Sequence, residues 1–211
     1  MKSQALSNTT QAINKIETYG YKLFSSSDLL LAKETIKQLG KILFTTEVKV
    51  NFGSKNLVTS DRALPLHTDH HAIDYIAWQC HQQTSVGGHT LLLDTTSIIK
   101  RFSDDELDAL KQIDLYEHKV FDQDKSTHPL ITQTESKLFN IYFSFWLVNE
   151  QDRSHPAVKK LTQLIKISKP IKFKLQPGQL LVINNRRMLH GRTAIEGNKE
   201  RHLTRHWLKA I

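Results

Sequence analysis

Residues 66–94 read LHTDHHAIDYIAWQCHQQTSVGGHTLLLD. Two short apolar runs, residues 75–80 and 90–93, are divided by Gly87-Gly88, a turn signal. Runs of this length fit buried strands better than helices. Further strands are expected outward from them. Residues 171–175 alternate, with Ile171, Phe173 and Leu175 on one face and Lys172 and Lys174 on the other. Residues 179–183 read as a buried strand between two turns, Pro177-Gly178 and Asn184-Asn185, and residues 203–208 as a final strand. Residues 115–121 and 137–145 read as two more strands.

Helical signals lie elsewhere. Ser25-Ser26-Ser27-Asp28 is a capping cluster ahead of Leu29, Leu30, Ile36 and Leu39, and Gly40 is the stop. Ser103 and Glu106 have capping-box spacing and open a helix to about Ile113. Pro156 starts a third helix, with Val158, Leu161 and Ile165 at helical spacing. The expected class is mainly β with peripheral helices, an antiparallel barrel or sandwich. At 211 residues the chain is expected to be a single domain, 1–46 mostly helical and 47–211 the β core.

The formal net charge of +8 favours anionic partners, but the basic residues are scattered rather than blocked, so a nucleic-acid partner is not expected. No apolar run approaches the length that spans a bilayer, so no membrane partner is expected either. Cys80 is the one cysteine, which excludes an internal disulfide. That cysteine usage and a polar N-terminal stretch without a signal-peptide core lead to the expectation of a cytoplasmic protein.

The chemistry-bearing residues form a split set: His67 and Asp69 early, His190 with Arg201 and Arg205 late. On a strand, positions i and i+2 share a face, so His67 and Asp69 can project together. A jelly roll brings residues distant in sequence to one barrel mouth, which allows His190 to join them. Two imidazoles and one carboxylate on one face of an octahedron leave positions open, which suits iron(II). His-x-Asp alone is a weak signal, and on spacing alone a strand-end hydrogen-bonded pair is the favoured explanation. His70 and His71 do not share the strand face of Asp69 and are left out. Arg201 and Arg205, four apart, share a strand face and would require anions if they point inward.

Leu66-His67-Thr68-Asp69, then Cys80, Gly87-Gly88, Thr90 and Asp94, resembles the taurine dioxygenase and γ-butyrobetaine hydroxylase superfamily. So does Asn185-Arg186-Arg187-Met188-Leu189-His190-Gly191-Arg192, followed by Arg201-His202-Leu203. The resemblance runs from about Glu47 to the C-terminus. It implies a double-stranded β-helix (jelly-roll) core and an enzyme dependent on Fe(II), 2-oxoglutarate and O2. His67, Asp69 and His190 correspond to the iron ligands, and Thr90 and Arg201 to residues that bind 2-oxoglutarate. Arg205 corresponds to a position that binds the substrate's acidic group in some members. The implied reaction oxidises an unactivated C–H bond of a small substrate, releasing succinate and CO2. Halogenating relatives lack the carboxylate, so Asp69 points to hydroxylation, desaturation or another oxygen-derived outcome. The expected partner is a small anionic molecule, such as an amino acid or biosynthetic intermediate, free or tethered to a carrier protein. A metal-dependent hydrolase and a non-catalytic jelly-roll binding module are the alternatives. The chain is short for the family, with a brief 146–156 stretch where relatives carry an insertion. Asn51 and Ser60 are further candidates to line the pocket, with loop hydrogen bonding as the competing explanation.

Overall fold

The structure is a computed structural model that describes residues 2–51, 53–117, 120–125, 127–135 and 137–211. The chain opens with α1 (Lys2–Tyr19), β1 (Tyr21–Phe24), α2 (Leu29–Leu39) and β2 (Gly40–Lys49), then β3 (Leu64–His67), β4 (Tyr75–Gln82), β5 (Val86–Gly87) and β6 (Thr90–Asp94). Next come α3 (Thr96–Ile99), α4 (Asp104–Lys111), β7 (Asp114–Tyr116), β8 (Thr127–Pro129), β9 (Ile131–Gln133), β10 (Phe139–Ile141) and α5 (Pro156–Ile167). The C-terminal part carries β11 (Ile171–Phe173), β12 (Leu180–Asn184), β13 (Met188–Arg192), β14 (Ile195–Glu196) and β15 (His202–Ala210).

Two antiparallel sheets make the core: five strands ordered β1-β12-β4-β15-β2, and four ordered β11-β6-β13-β3. Between them Ile76, Cys80, Leu92, Leu181, Ile183, Met188 and Leu203 pack into one apolar cluster. Each sheet is also covered on its outer face. Ile16, Ile36 and Leu39 of α1 and α2 pack on Ala77, Val182 and Leu208. Leu107, Leu110, Leu161 and Leu164 of α4 and α5 cover Leu93 and Leu189. Sheets buried on both faces explain why residues 180–183 read as an unbroken apolar run rather than an alternation. The layers are those of a double-stranded β-helix with peripheral helices.

The capping signals coincide with real helix starts. Glu106 N–H donates to Ser103 Oγ and Ser103 N–H to the Glu106 carboxylate, closing the box ahead of α4. His155 Nδ1 accepts Ala157 N–H and Pro156 begins α5. Elsewhere the expectations need correction. Residues 115–121 are not one strand: β7 ends at Tyr116, and residues 118 and 119 lie outside the described residues. Residues 137–145 shrink to β10, with a 3-10 turn at Phe145–Leu147. The first 46 residues hold, besides two helices, β1 and the start of β2, which pair with β12 and β15. The β core therefore reaches back before Glu47.

Candidate metal centre and co-substrate pocket

His67 is the last residue of β3 and stands directly opposite His190 of β13 in the sheet register. The neighbouring Gly191 allows this close pairing, because a Cβ there would lie 2.7 Å from Leu64 O. Asp69 sits two residues past the end of β3, not on it, so a shared strand face is not what aims it. The chain is clamped instead. Asp69 N–H donates to buried Asn185 Oδ1 at 2.9 Å, and Asn185 Nδ2 donates to Ile73 O at 2.9 Å. Thr68 N–H donates to Phe143 O and Phe143 N–H to Thr68 Oγ1, at 2.8 and 2.9 Å. The loop is thereby held from both sides.

The result is one converging set. Asp69 Oδ1 lies 3.6 Å from His67 Nε2 and 3.5 Å from His190 Nε2. The other oxygen, Oδ2, accepts hydrogen bonds from Trp207 Nε1–H at 2.6 Å and Arg205 Nη1–H at 3.0 Å. His67 Nδ1 lies 2.9 Å from Pro65 O, which can only accept, so the imidazole proton is on Nδ1 and Nε2 faces the centre as a bare nitrogen. His190 Nδ1 is buried without a partner. Burial, reinforced by His67, lowers the His190 pKa to about 4 and favours the neutral, ligating form. Burial opposes ionisation of Asp69 too. The Arg205 guanidinium is the leading effect that outweighs it and holds the carboxyl well below its usual range.

These residues fit a divalent ion. Cis ligands with bonds of ~2.1 Å stand about 3 Å apart, so separations of 3.5 and 3.6 Å need only a small contraction. One imidazole pair, one carboxylate oxygen and an open face form the donor set that non-haem iron(II) takes.

Behind this set lies an inner cavity of about 50 Å³, lined by Thr90, Arg192, Arg201 and Arg205 among others. The Arg201 Nε is buried, and among the described residues it has no hydrogen-bond partner. Burial, together with the charge of Arg192, pushes its pKa down to about 9. Arg192 is 4% exposed; its Nη2 donates to Ser60 O and Arg62 O, while Nε and Nη1 have no partner. Three guanidiniums and one carboxylate, Asp69, line the cavity, an excess of positive charge that Asp61 nearby offsets in part. A buried cation requires an anion, and a dicarboxylate supplies two.

An outer cavity of about 490 Å³ opens on the other side of the centre, with Asn56, Tyr142, Ser144 and Trp146 in its wall. His67, Asp69 and Arg205 belong to both cavities. Trp146 covers His67 at 5.3 Å between ring centroids. Asn51 and Ser60 line neither: Asn51 N–H donates to Thr59 O, and Ser60 Oγ to Leu57 O. The structure thus brings His67, Asp69, Thr90, His190, Arg201 and Arg205 together. Sequence reasoning missed the parts played by Trp207, Asn185 and Arg192. Asn185 and Arg192 stood within the quoted C-terminal motif; nothing in the local pattern marked Trp207. Asp94 and Arg187, also in the quoted stretches, pair with each other and fasten β6 to the turn before β13.

A double-stranded β-helix with this triad and a cationic pocket behind it defines the class of non-haem iron oxygenases that use a 2-oxo dicarboxylate. Residues 30–207 match the model of the Taurine catabolism dioxygenase TauD, TfdA family. The chain belongs to that family and is an Fe(II)- and 2-oxoglutarate-dependent dioxygenase. No curated protein matches it in sequence. Solved structures share its fold. An asparagine oxygenase in complex with Fe(II), 2S,3S-3-hydroxyasparagine and succinate is 15% identical, with a TM-score of 0.75 over 97% of this chain and 79% of that one. The non-haem iron oxygenase OrfP in complex with Fe and alpha-ketoglutaric acid is 17% identical, with a TM-score of 0.66 over 87% of this chain and 64% of that one. The PvcB protein from Pseudomonas aeruginosa is 15% identical, with a TM-score of 0.66 over 96% and 80%. Among the described residues, no helix is long and apolar enough to cross a membrane.

Proposed function

We propose that this enzyme oxidises a C–H bond of a small, carboxylate-bearing substrate, a free amino acid being the first choice, in the cytoplasm. His67, Asp69 and His190 hold the iron, Thr90 and Arg201 hold 2-oxoglutarate, and Arg205 receives the substrate's acidic group. The observation that carries this reading is Arg201, whose Nε is buried and, among the described residues, unpartnered, in a pocket that adjoins the triad. A hydrolase or a passive binding module would leave that cation without a role. The substrate class draws support from neighbours solved with hydroxyasparagine and with (3S)-hydroxy-L-Arg.

When bound, iron(II) and 2-oxoglutarate supply the oxidation: O2 is consumed, succinate and CO2 leave, and one oxygen atom is available to the substrate. The protein's own residues set the geometry. Trp207 and Arg205 occupy Asp69 Oδ2 and leave Oδ1 as the single inward oxygen. Pro65 O fixes the His67 tautomer. Arg201 charge and Thr90 orient the dicarboxylate from the closed end. Arg205 spends Nη1 on Asp69 and Nε on Thr46, so Nη2 is the edge it offers a substrate carboxylate. Trp146 and Tyr142 line the mouth with aromatic surface.

The test is anaerobic titration of the apo-protein with iron(II) and 2-oxoglutarate, followed by a screen of L-amino acids for stimulated succinate release. A visible metal-to-ligand charge-transfer band that vanishes in His67→Ala is expected. Folded protein without the band removes the assignment of the site. Arg205→Ala, at saturating iron, should keep 2-oxoglutarate decay and lose its stimulation by substrate; an unchanged substrate KM would remove Arg205 from that role.

A further inference from the structure

A second cluster of ligand-type side chains lies on the far side of the residue 69–71 turn. His70, His71, Glu117 and Asp124 place one potential ligand atom each within 4.8 Å of all the others. The two carboxylates are deeply buried, with side chains 1% and 2% exposed. Among the described residues no lysine or arginine lies within ion-pairing distance of either. Two buried carboxylates side by side repel unless a cation or a proton intervenes. Burial and the neighbouring Asp124 accordingly raise the Glu117 pKa.

The four residues are not equivalent. His70 Nδ1 accepts Ala72 N–H at 3.2 Å, which puts the His70 proton on Nε2. Nε2 lies 3.1 Å from Asp124 Oδ2 and 3.4 Å from Glu117 Oε1. With its proton on Nε2, His70 offers an ion no lone pair and stands beside both carboxylates. Asp124 Oδ2 also accepts the N–H groups of Val120 and Phe121, which leaves Oδ1 for a further partner. His71 Nε2 is in contact with Glu117 Oε1. Its ring is fixed by stacking on His128, with centroids 3.7 Å apart, and by the edge of Tyr142.

We propose that His71, Glu117 and Asp124 form a second divalent-cation site, separate from the iron centre, that takes a zinc-like ion, with His70 standing beside both carboxylates. One imidazole and two carboxylates bring such an ion to charge neutrality, and the nitrogen donor favours zinc over magnesium or calcium. The ion would join the segment bearing Glu117 and Asp124 to the turn that begins at Asp69. Val120 of that segment and His70 both face the outer cavity, so the site fastens one wall of the substrate mouth. It is a structural site, three residues of one loop region and one turn, with no part in the redox chemistry.

The test uses the full-length apo-protein loaded with Zn2+, desalted and assayed for bound zinc by mass spectrometry. Wild type should retain two ions per chain, since zinc also occupies the iron site, and His67→Ala/His190→Ala should retain one. Adding His71→Ala to that variant should remove it, as should Glu117→Gln/Asp124→Asn if that protein folds. In the His67→Ala/His190→Ala background, Zn2+ should also slow proteolysis within residues 117–124. One ion in wild type and none in His67→Ala/His190→Ala would overturn the proposal and leave the iron centre standing. An ion that survives His71→Ala would also overturn it, pointing to the Glu47, His81 and His202 group. One ion in both proteins, lost with His71→Ala, would support the second site while removing the metal assignment of the first.

Discussion

The two cavities that meet at Asp69 are built differently. Strands and the turns that end them wall the inner one: Thr90 opens β6, His190 and Arg192 are on β13, Leu203 and Arg205 are on β15, and Arg201 directly precedes it. Loops supply most of the outer one, including Asn56, Val120, Ser144 and Trp146. Ladder hydrogen bonds and two-sided burial hold the inner residues, so the geometry is fixed before any ligand arrives. The outer wall has no such ladder and depends on side-chain packing and local turns. On the proposed assignment, the fold builds the co-substrate end from strands and the substrate end from loops.

The sharpest way to break this contrast is at Asp69, one of the residues both cavities share. Asp69→Ala removes a ligand and leaves Arg205 and Trp207 facing nothing. Iron affinity should fall by more than the roughly 100-fold typical of losing a residue behind a ligand, and the charge-transfer band should disappear in anaerobic titration.

Next in size is the inner pocket alone. Arg201→Gln should weaken 2-oxoglutarate by about 2–5 kcal/mol, read as its Kd by calorimetry. The same variant tests the stored charge. At 100 times its Kd, 2-oxoglutarate should raise the wild-type melting temperature by about 5–10 °C, and Arg201→Gln should lose that rise at the same concentration. An equal shift in both proteins would mean that the dicarboxylate binds elsewhere.

Trp207→Phe keeps the ring and deletes one hydrogen bond to Asp69 Oδ2. Iron affinity should drop by roughly 10–100-fold, with 2-oxoglutarate affinity measured at saturating iron unchanged. The smallest effect belongs to the outer wall. Trp146→Ala should raise the substrate KM about tenfold and leave the 2-oxoglutarate Kd untouched. Equal losses for both ligands would show that the two cavities are not independent.

Legibility followed the same division. Residues 90–93 and 180–183 sit between covered sheet faces, so local hydrophobicity reported their burial directly. The capping box at Ser103 and the helix start at Pro156 were readable because caps are local chemistry. The short strands at residues 114–116 and 139–141 were overextended in prediction, because their ends depend on where a partner strand stops. Strand spacing led to Asp69 facing His67, yet the backbone reason was different: Asn185, more than a hundred residues away, clamps the loop. Trp207 was silent because an indole in an apolar strand reads as core until its N–H is seen to meet a carboxylate.

By itself the sequence determined which side chains are candidates for the chemistry, since two histidines, a carboxylate and an arginine pair are matters of residue type and order. It also determined the β-rich core, because apolar runs and turn residues act within a few positions of themselves. Only the tertiary structure decided that His67 and His190 are opposite one another in register, that Asp69 offers one oxygen and not two, and that Arg201 Nε is left, among the described residues, without a partner. Those facts depend on contacts between residues more than a hundred positions apart, and no local pattern encodes a distance that the packing of two sheets sets.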